Sequence, residues 1–212
     1  MTAALHYRCG APALLVMLPG ALMTPQQMVD AGLFAAVQAR RRALDVMLPD
    51  LHAQSGNDQD ALRALETQCL APARRGYEQV WLGGISRGGH LALSYLANSN
   101  SPVHGVCLLA PYPGSRITQN TIARAGGMHR WQATPAQLHD PEFRVWQWLQ
   151  NPTWPAHVFM GYGADDRFAD GMQLLASHMQ GGAVQIVPGG HGWMAWSHLW
   201  ARFLDSCFGT PA

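Results

Sequence analysis

The stretch Gly84-Ile85-Ser86-Arg87-Gly88 constrains this chain more than any other feature of its sequence. It has the form G-x-S-x-G and lies between an apolar run and a segment rich in alanine and leucine. That setting predicts a strand that turns sharply into a helix and exposes the serine hydroxyl at the carboxyl end of the strand. Glycines on both sides fit a turn in which the serine backbone is strained. The alternative is a glycine-rich helix start in which Ser86 is only the N-cap.

Short apolar runs alternate with helix-like stretches along the chain, and this alternation predicts the fold class. Several runs are almost continuously apolar, as in strands buried on both faces of a parallel sheet. We therefore expect one α/β domain over residues 1–212, with a mostly parallel central sheet between two layers of helices. The predicted strands are 13–18, 43–48, 79–82, 103–109, 157–160 and 183–187. The predicted helices are 25–40, 58–73, 87–98, 169–180 and 194–207.

The interval at about 110–155 is too long for an ordinary loop between two elements. It has helix-like pieces at 117–124 and 135–150, and it holds four of the eight tryptophans. We expect an insertion over one end of the sheet that forms a small lid or a pocket wall. A plain crossover with one extra helix is the alternative.

The motif around Ser86, in its strand–turn–helix setting, resembles the α/β-hydrolase family, and the resemblance covers residues 14 to about 204. In that family a serine nucleophile, an acid and a histidine follow in this order along the chain. The acid follows the next-to-last strand in the pattern G-x-x-D. This implies Asp166, three residues after Gly163, with its neighbour Asp165 as the alternative. Either aspartate could instead cap the helix that follows.

The histidine of the family follows the last strand, which implies His191 in the glycine-rich stretch 189–192. The other histidines lack this strand-then-loop setting. Among them, His90 lies one helical turn after Ser86 and should point into the helix packing. The phrase at 188–196 also resembles the esterase D and mycolyltransferase-type branch of the family.

Two backbone N–H groups are expected to stabilise the oxyanion of such an enzyme. The resemblance implies the N–H of Arg87, the residue after the serine, as one donor. The other should come from the loop after the first predicted strand, where the N–H of Ala21 is the matching donor and Leu22 its neighbour. The family usually has His-Gly in this loop, whereas this chain has Pro19-Gly20.

The resemblance implies a serine hydrolase that cleaves a carboxylic ester or thioester through an acyl-enzyme with a Ser-His-Asp triad. An acyltransferase with the same triad, and a non-catalytic binding module that keeps the fold, are the alternatives. For substrate contacts we expect Tyr112, Trp131 and Trp193. Trp196 is the alternative to Trp193 as a wall beside His191.

Composition argues against several classes of protein and excludes several kinds of catalytic site. A net charge of +1 with 13% charged residues argues against a nucleic-acid binder. All 14 Lys-or-Arg positions are arginine, which excludes a P-loop lysine, a Schiff-base lysine and a Ser-Lys dyad. No apolar run reaches the roughly 18 residues that a membrane span needs. We interpret residues 11–23 as a core strand and its loop rather than as a signal peptide.

The four cysteines are scattered and form no C-x-x-C pair. We therefore expect no metal or redox site of that kind, and scattered single cysteines predict a reducing compartment, the cytoplasm. The interpretation as a serine hydrolase implies no metal and no organic cofactor. The expected partner is a small acyl ester or thioester, and the expected assembly is a monomer or a homodimer.

Overall fold

The structure, a computed structural model, describes residues 4–51, 57–179 and 182–209. Within these ranges, seven strands form one sheet in the order β1-β3-β2-β4-β5-β6-β7, and every neighbouring pair except β1 and β3 is parallel. The predicted α/β class with a mostly parallel sheet is confirmed. The strands are β1 (Ala4–Tyr7), β2 (Ala13–Leu18), β3 (Asp45–Pro49), β4 (Gln79–Ile85), β5 (Gly105–Leu109), β6 (His157–Gly163) and β7 (Ala183–Val187).

The antiparallel edge strand β1 is the element that the sequence pattern does not predict. It has four residues that are half-buried or exposed, so no continuous apolar run marks it. Strands β4 and β6 also extend further than predicted, to Ile85 and Gly163. Glycines interrupt their apolar runs, which hides the ends of both strands from a pattern based on hydrophobicity.

Helices cover both faces of the sheet. The predicted helix 25–40 is two helices, because Gly32 between them has a left-handed φ of +93°. The predicted helix 58–73 continues to Gly76 through a π-helical turn at Leu65–Leu70. The helices are α1 (Pro25–Asp30), α2 (Leu33–Ala39), α3 (Asp58–Ala64), α4 (Ala71–Gly76), α5 (Arg87–Asn98), α6 (Arg116–Arg124), α7 (Pro141–Trp148), α8 (Ala169–Ala176) and α9 (Trp193–Cys207). In the described part of the chain, no helix is both long enough and apolar enough to cross a bilayer.

Two groups of helices bury the central strands. Helix α9 packs on β5, β6 and β7, where Phe203 contacts Phe159 and Trp81. The indole of Trp200 donates a hydrogen bond to the carbonyl of Leu33, which joins α9 to α2. Helix α5 packs on β2, β4 and β5, and α3 and α7 in turn pack on α5. The strands between these groups are almost fully buried, which keeps the carboxyl edge of the sheet in place.

The interval 110–155 connects β5 to β6 and contains α6, a short 3-10 turn at Gln137–His139, and α7. The predicted helical pieces are therefore present, although the second is divided in two. The buried indole of Trp146 donates to the carbonyl of Pro113 at 2.8 Å. The carboxylate of Glu142 accepts from the N–H of Ser115 and the hydroxyl of Thr118. These bonds tie α7 to the start of the interval.

Candidate active site

Ser86 lies at the turn between β4 and α5, in the strained conformation that the motif predicts. Its φ and ψ are +51° and −113°, outside the regions that an L-residue normally occupies. Its N–H donates to the carbonyl of Leu109 on β5 at 3.0 Å. A Cβ at Gly84 would overlap the backbone of Gly88, and a Cβ at Gly88 would overlap the carbonyl of Leu18. Both glycines are therefore required by close backbone contacts around the turn.

The structure brings Ser86, His191 and Asp166 into one hydrogen-bonded chain. The Nε2 of His191 lies 2.8 Å from the Oγ of Ser86, and its Nδ1 lies 2.6 Å from Oδ2 of Asp166. A carboxylate can only accept, so Nδ1 carries the proton towards Asp166 and Nε2 is left to accept from the serine hydroxyl. This tautomer is the one in which a histidine can act as a general base on serine.

Asp166, rather than Asp165, is the aspartate that contacts His191. The side chain of Asp166 is fully buried, and its Oδ1 accepts the N–H of Phe168 at 2.9 Å. Asp165 is exposed, and its backbone N–H donates to the carbonyl of Gly189. The count of three residues from Gly163 thus selects the aspartate that the geometry brings to the histidine.

The candidate oxyanion donors lie on both sides of Ser86. Arg87 is the first residue of α5, so its N–H has no acceptor within the helix and is available to a ligand. The loop after β2 passes beside the serine, since a Cβ at Gly20 would lie 3.6 Å from the Cβ of Ser86. Ala21 and Leu22 are the exposed middle residues of this loop. Their role as donors stays a prediction.

The comparisons with known proteins bear on the fold. No family model matches the chain, and no curated protein matches it. Among solved structures, the chain is similar to MGS-MChE2, an alpha/beta hydrolase enzyme from the sediment metagenome of the Mar Chica lagoon in Morocco. The two are 17% identical with a TM-score of 0.65, over 98% of this chain and 94% of that one. The chain has the α/β-hydrolase fold.

Two proteins of Staphylococcus aureus share this α/β-hydrolase fold at similar distance. The fluorophosphonate-binding serine hydrolase FphF is 12% identical with a TM-score of 0.67, over 100% of this chain and 99% of that one. The S-formylglutathione hydrolase FrmB is 12% identical with a TM-score of 0.62, over 97% of this chain and 95% of that one. At these identities the likeness concerns the fold.

Aromatic rings surround the imidazole of His191 at this edge of the α/β-hydrolase fold. Phe168 and Trp196 contact it edge to face, with ring centroids 5.1 and 5.3 Å away. Tyr112 packs on Phe168 at 5.4 Å, and Trp193 packs on Trp196 at 5.2 Å. Two of the predicted substrate contacts, Tyr112 and Trp193, therefore lie one ring away from the histidine. Of the two alternatives, Trp196 is the ring that contacts the imidazole directly, and the substrate role of Trp193 stays a prediction.

Phe168 is a contact that the sequence analysis missed. Its sequence signal is its position two residues after Asp166, the residue whose carboxylate accepts the N–H of Phe168 and contacts His191. The guanidinium of Arg167 lies over the Phe168 ring, 4.8 Å from its centroid. The Phe168 ring therefore contacts both the imidazole of His191 and an exposed cation.

Trp131, the third predicted substrate contact, is buried within the interval 110–155. Its ring packs against Phe143 at 5.9 Å between centroids, and its carbonyl accepts from the side chain of Gln150. It also lines a surface hollow of about 500 Å³, whose other lining residues include His178 and no member of the triad. These contacts give no support to a wall beside Ser86, and the substrate role of Trp131 stays a prediction.

His90 points into the helix packing, as expected from its position one turn after Ser86. Its side chain is 1% exposed, and its Nδ1 donates to the carbonyl of Tyr112 at 3.1 Å. Burial, together with the positive charge of Arg87, lowers the pKa of His90 to about 4. The N–H of Tyr112 in turn donates to the carbonyl of Ser86 at 2.9 Å. A neutral His90 therefore holds the segment that supports the serine.

Within the described ranges, His, Cys, Asp and Glu side chains do not gather in groups of three or more that could hold a metal ion.

Proposed function

We propose that this protein is a serine hydrolase that cleaves a carboxylic ester or thioester through an acyl-enzyme. The observation that carries the proposal is the chain of short hydrogen bonds from Ser86 through His191 to the buried carboxylate of Asp166. It stands at the carboxyl edge of the sheet, where ligands of open α/β sheets bind. A non-catalytic binding module would not need the strained serine or this alignment.

The reaction follows from the positions of three side chains. The Oγ of Ser86 attacks the substrate carbonyl while Nε2 of His191 takes its proton, and Asp166 stabilises the imidazolium that forms. The proton then passes from His191 to the leaving alcohol or thiol as its bond to the acyl carbon breaks. Water attacks the acyl-enzyme with His191 as base again. This step releases the carboxylic acid and restores the serine hydroxyl.

The oxyanion of each tetrahedral intermediate is assigned to the N–H groups of Arg87 and of Ala21, with Leu22 as the neighbouring donor. A helix N-terminus presents N–H groups and the positive end of the helix dipole, and both favour a developing negative charge. Each such donor is worth roughly 3–4 kcal/mol to the transition state. Gly20 lies against Ser86, and this position supports the assignment, because it brings the loop within reach of the substrate carbonyl that Ser86 attacks.

Two structural neighbours support ester and thioester chemistry as the first to test, since they are named as a fluorophosphonate-binding serine hydrolase and an S-formylglutathione hydrolase. We extend the proposal to a small-molecule substrate in the cytoplasm. The four cysteines, all within the described ranges, are unpaired, as a reducing compartment favours.

Replacing the nucleophile tests the proposal. The wild type should react with a fluorophosphonate probe and hydrolyse p-nitrophenyl acetate. Ser86→Ala should abolish labelling and lower kcat by roughly 10⁴-fold or more, with Tm within a few degrees of the wild type. The matched control Ser206→Ala changes an exposed serine on α9 and should keep both activities. Labelling of Ser86→Ala at the wild-type rate would refute the assignment, and faster ester turnover into added alcohols would indicate acyl transfer.

A further inference from the structure

Leu22 has an unusual combination of backbone and side-chain properties. It lies in the turn Gly20-Ala21-Leu22-Met23, which is closed by a hydrogen bond from the N–H of Met23 to the carbonyl of Gly20 at 3.2 Å. Its φ is +57°, in the left-handed region. Its side chain is 101% exposed, so it has no packing in the folded chain.

Neither property of Leu22 is explained by folding. A β-turn with positive φ only at its third residue normally has glycine or asparagine there, because a larger side chain crowds the backbone. An exposed leucine also leaves apolar area in water. Since folding does not favour a leucine at this position, its presence points to a contact with something outside the chain.

The location of Leu22 indicates what that contact is. Within the described ranges, the non-glycine residues with positive φ are Leu22, Arg41, Ser86 and Ala110. Three of them follow β2, β4 and β5, at the carboxyl edge that carries the triad. The base of the Leu22 turn, Gly20, lies against Ser86 itself. Backbone strain is therefore concentrated around the serine, and the exposed leucine extends from the same place.

The histidine side of the site also presents an apolar side chain. Met194 is 66% exposed and lies three residues after His191, at the start of α9. Its neighbour Trp193 is half-buried on Trp196, the ring that contacts the imidazole. An exposed apolar side chain thus lies in the loop beside Ser86, and another lies just after the loop that carries His191.

We propose that Leu22, with Met194 on the histidine side, forms an apolar subsite for a hydrocarbon chain of the substrate. This inference rests on the proposed function, and it narrows the substrate to esters or thioesters with several carbons beside the reacting carbonyl. Binding such a chain buries the Leu22 side chain, which folding leaves in water. Full burial of a leucine corresponds to roughly tenfold to a hundredfold in affinity. Part of that factor should appear in kcat/KM.

Leu22→Asn tests the subsite, because asparagine tolerates a positive φ but removes the apolar surface. Two substrate series are needed: p-nitrophenyl esters from acetate to octanoate, and acetates of increasingly long alcohols. The ratio of kcat/KM for the longest substrate to that for the shortest should fall about five- to tenfold in one series, mainly through KM. That series shows whether the subsite takes the acyl or the alcohol chain. Tm should be unchanged or up to about 3 °C higher, since strain is relieved and no contact is lost.

Leu174→Gln is the matched control, because Leu174 is an exposed leucine on α8. It should keep the activity and both length profiles of the wild type. If Leu22→Asn leaves both ratios unchanged, or lowers Tm by more than a few degrees, the subsite is refuted and Leu22 is structural. A wild type that neither reacts with fluorophosphonate nor hydrolyses acetate would refute the proposed function first, and the subsite with it.

Discussion

The turn around Ser86 and the interval 110–155 lie side by side and are held in different ways. The turn is closed by backbone against backbone, so that Gly84 and Gly88 leave no room for a side chain. The interval is held by side chains, such as the indole of Trp146 on the carbonyl of Pro113. Backbone packing therefore positions Ser86, whereas side-chain packing holds the interval beside it. We expect substitutions in the two regions to separate chemistry from stability.

Tyr112 joins the two regions. Its N–H donates to the carbonyl of Ser86, its carbonyl accepts from His90, and its ring packs on Phe168 beside the catalytic histidine of the proposal. The start of the interval is thus part of the support of the serine, whereas Trp131 is packed among residues of the interval itself. The boundary between the two regions lies just after Tyr112.

The largest loss of activity should come from a substitution at Asp166, which contacts His191. Asp166→Asn should lower kcat by about 10⁴-fold, because an amide beside Nδ1 of His191 disturbs the tautomer that accepts the serine proton. Tm should change far less than activity. Steady-state kinetics on p-nitrophenyl acetate measures the effect. The neighbouring change Asp165→Asn should cost less than about tenfold, since that side chain is exposed. Equal losses in the two variants would contradict the assignment of the acid.

A substitution in the interval 110–155 should lower the stability of the protein more than its activity. Trp131→Ala removes a large side chain that is 4% exposed, and should lower the free energy of unfolding by roughly 3–5 kcal/mol. Chemical denaturation measures this loss, and Gln132→Ala, at an exposed neighbour, should stay within about 0.5 kcal/mol of the wild type. If Trp131 also has the substrate role predicted from the sequence, the acyl-length profile of kcat/KM should shift in the Trp131→Ala protein. An unchanged profile would make Trp131 a structural residue of the interval.

The buried His90 contacts Tyr112, which joins the two regions, and it should make the free energy of unfolding depend on pH. Its pKa is lowered to about 4 in the folded protein from the usual 6.5, so the unfolded chain takes up a proton first as pH falls. The free energy of unfolding should therefore decrease from about pH 6.5 to pH 4, by up to roughly 3 kcal/mol.

Chemical denaturation at pH 7 and pH 4.5 measures the contribution of His90. His90→Gln should lower stability at pH 7, because the bond to the carbonyl of Tyr112 is altered, but its further loss on acidification should be smaller by about 2–3 kcal/mol. His139→Gln, at an exposed histidine, should keep the full pH dependence of the wild type. An equal pH dependence in all three proteins would show that His90 is not the group responsible.

Local rules explain how much of this site could be predicted. Ser86 could be located because a strand, two glycines and a helix are contiguous in sequence. Asp166 and His191 could be selected because the resemblance to the α/β-hydrolase family implies an acid and a histidine after the last two strands. Strand β1 was not predicted, because its four residues are half-buried or exposed and show no hydrophobic pattern. Phe168 was not predicted as a contact of His191, and the sequence left the choice between Trp193 and Trp196 open. Both questions depend on rings that meet the imidazole only after β6 and β7 are paired.

By itself the sequence determined the alternation of strands and helices and the turn at Ser86, because each depends on neighbours within a few positions. The roles of Asp166 and His191 were implied by the resemblance to the α/β-hydrolase family. The tertiary structure decided which aromatic rings surround His191, that Trp131 is packed within the interval, and that Leu22 projects into solvent beside the serine. The physical reason is that burial and ring contacts depend on side chains brought together from distant segments. A backbone turn, in contrast, is constrained by the residues that form it.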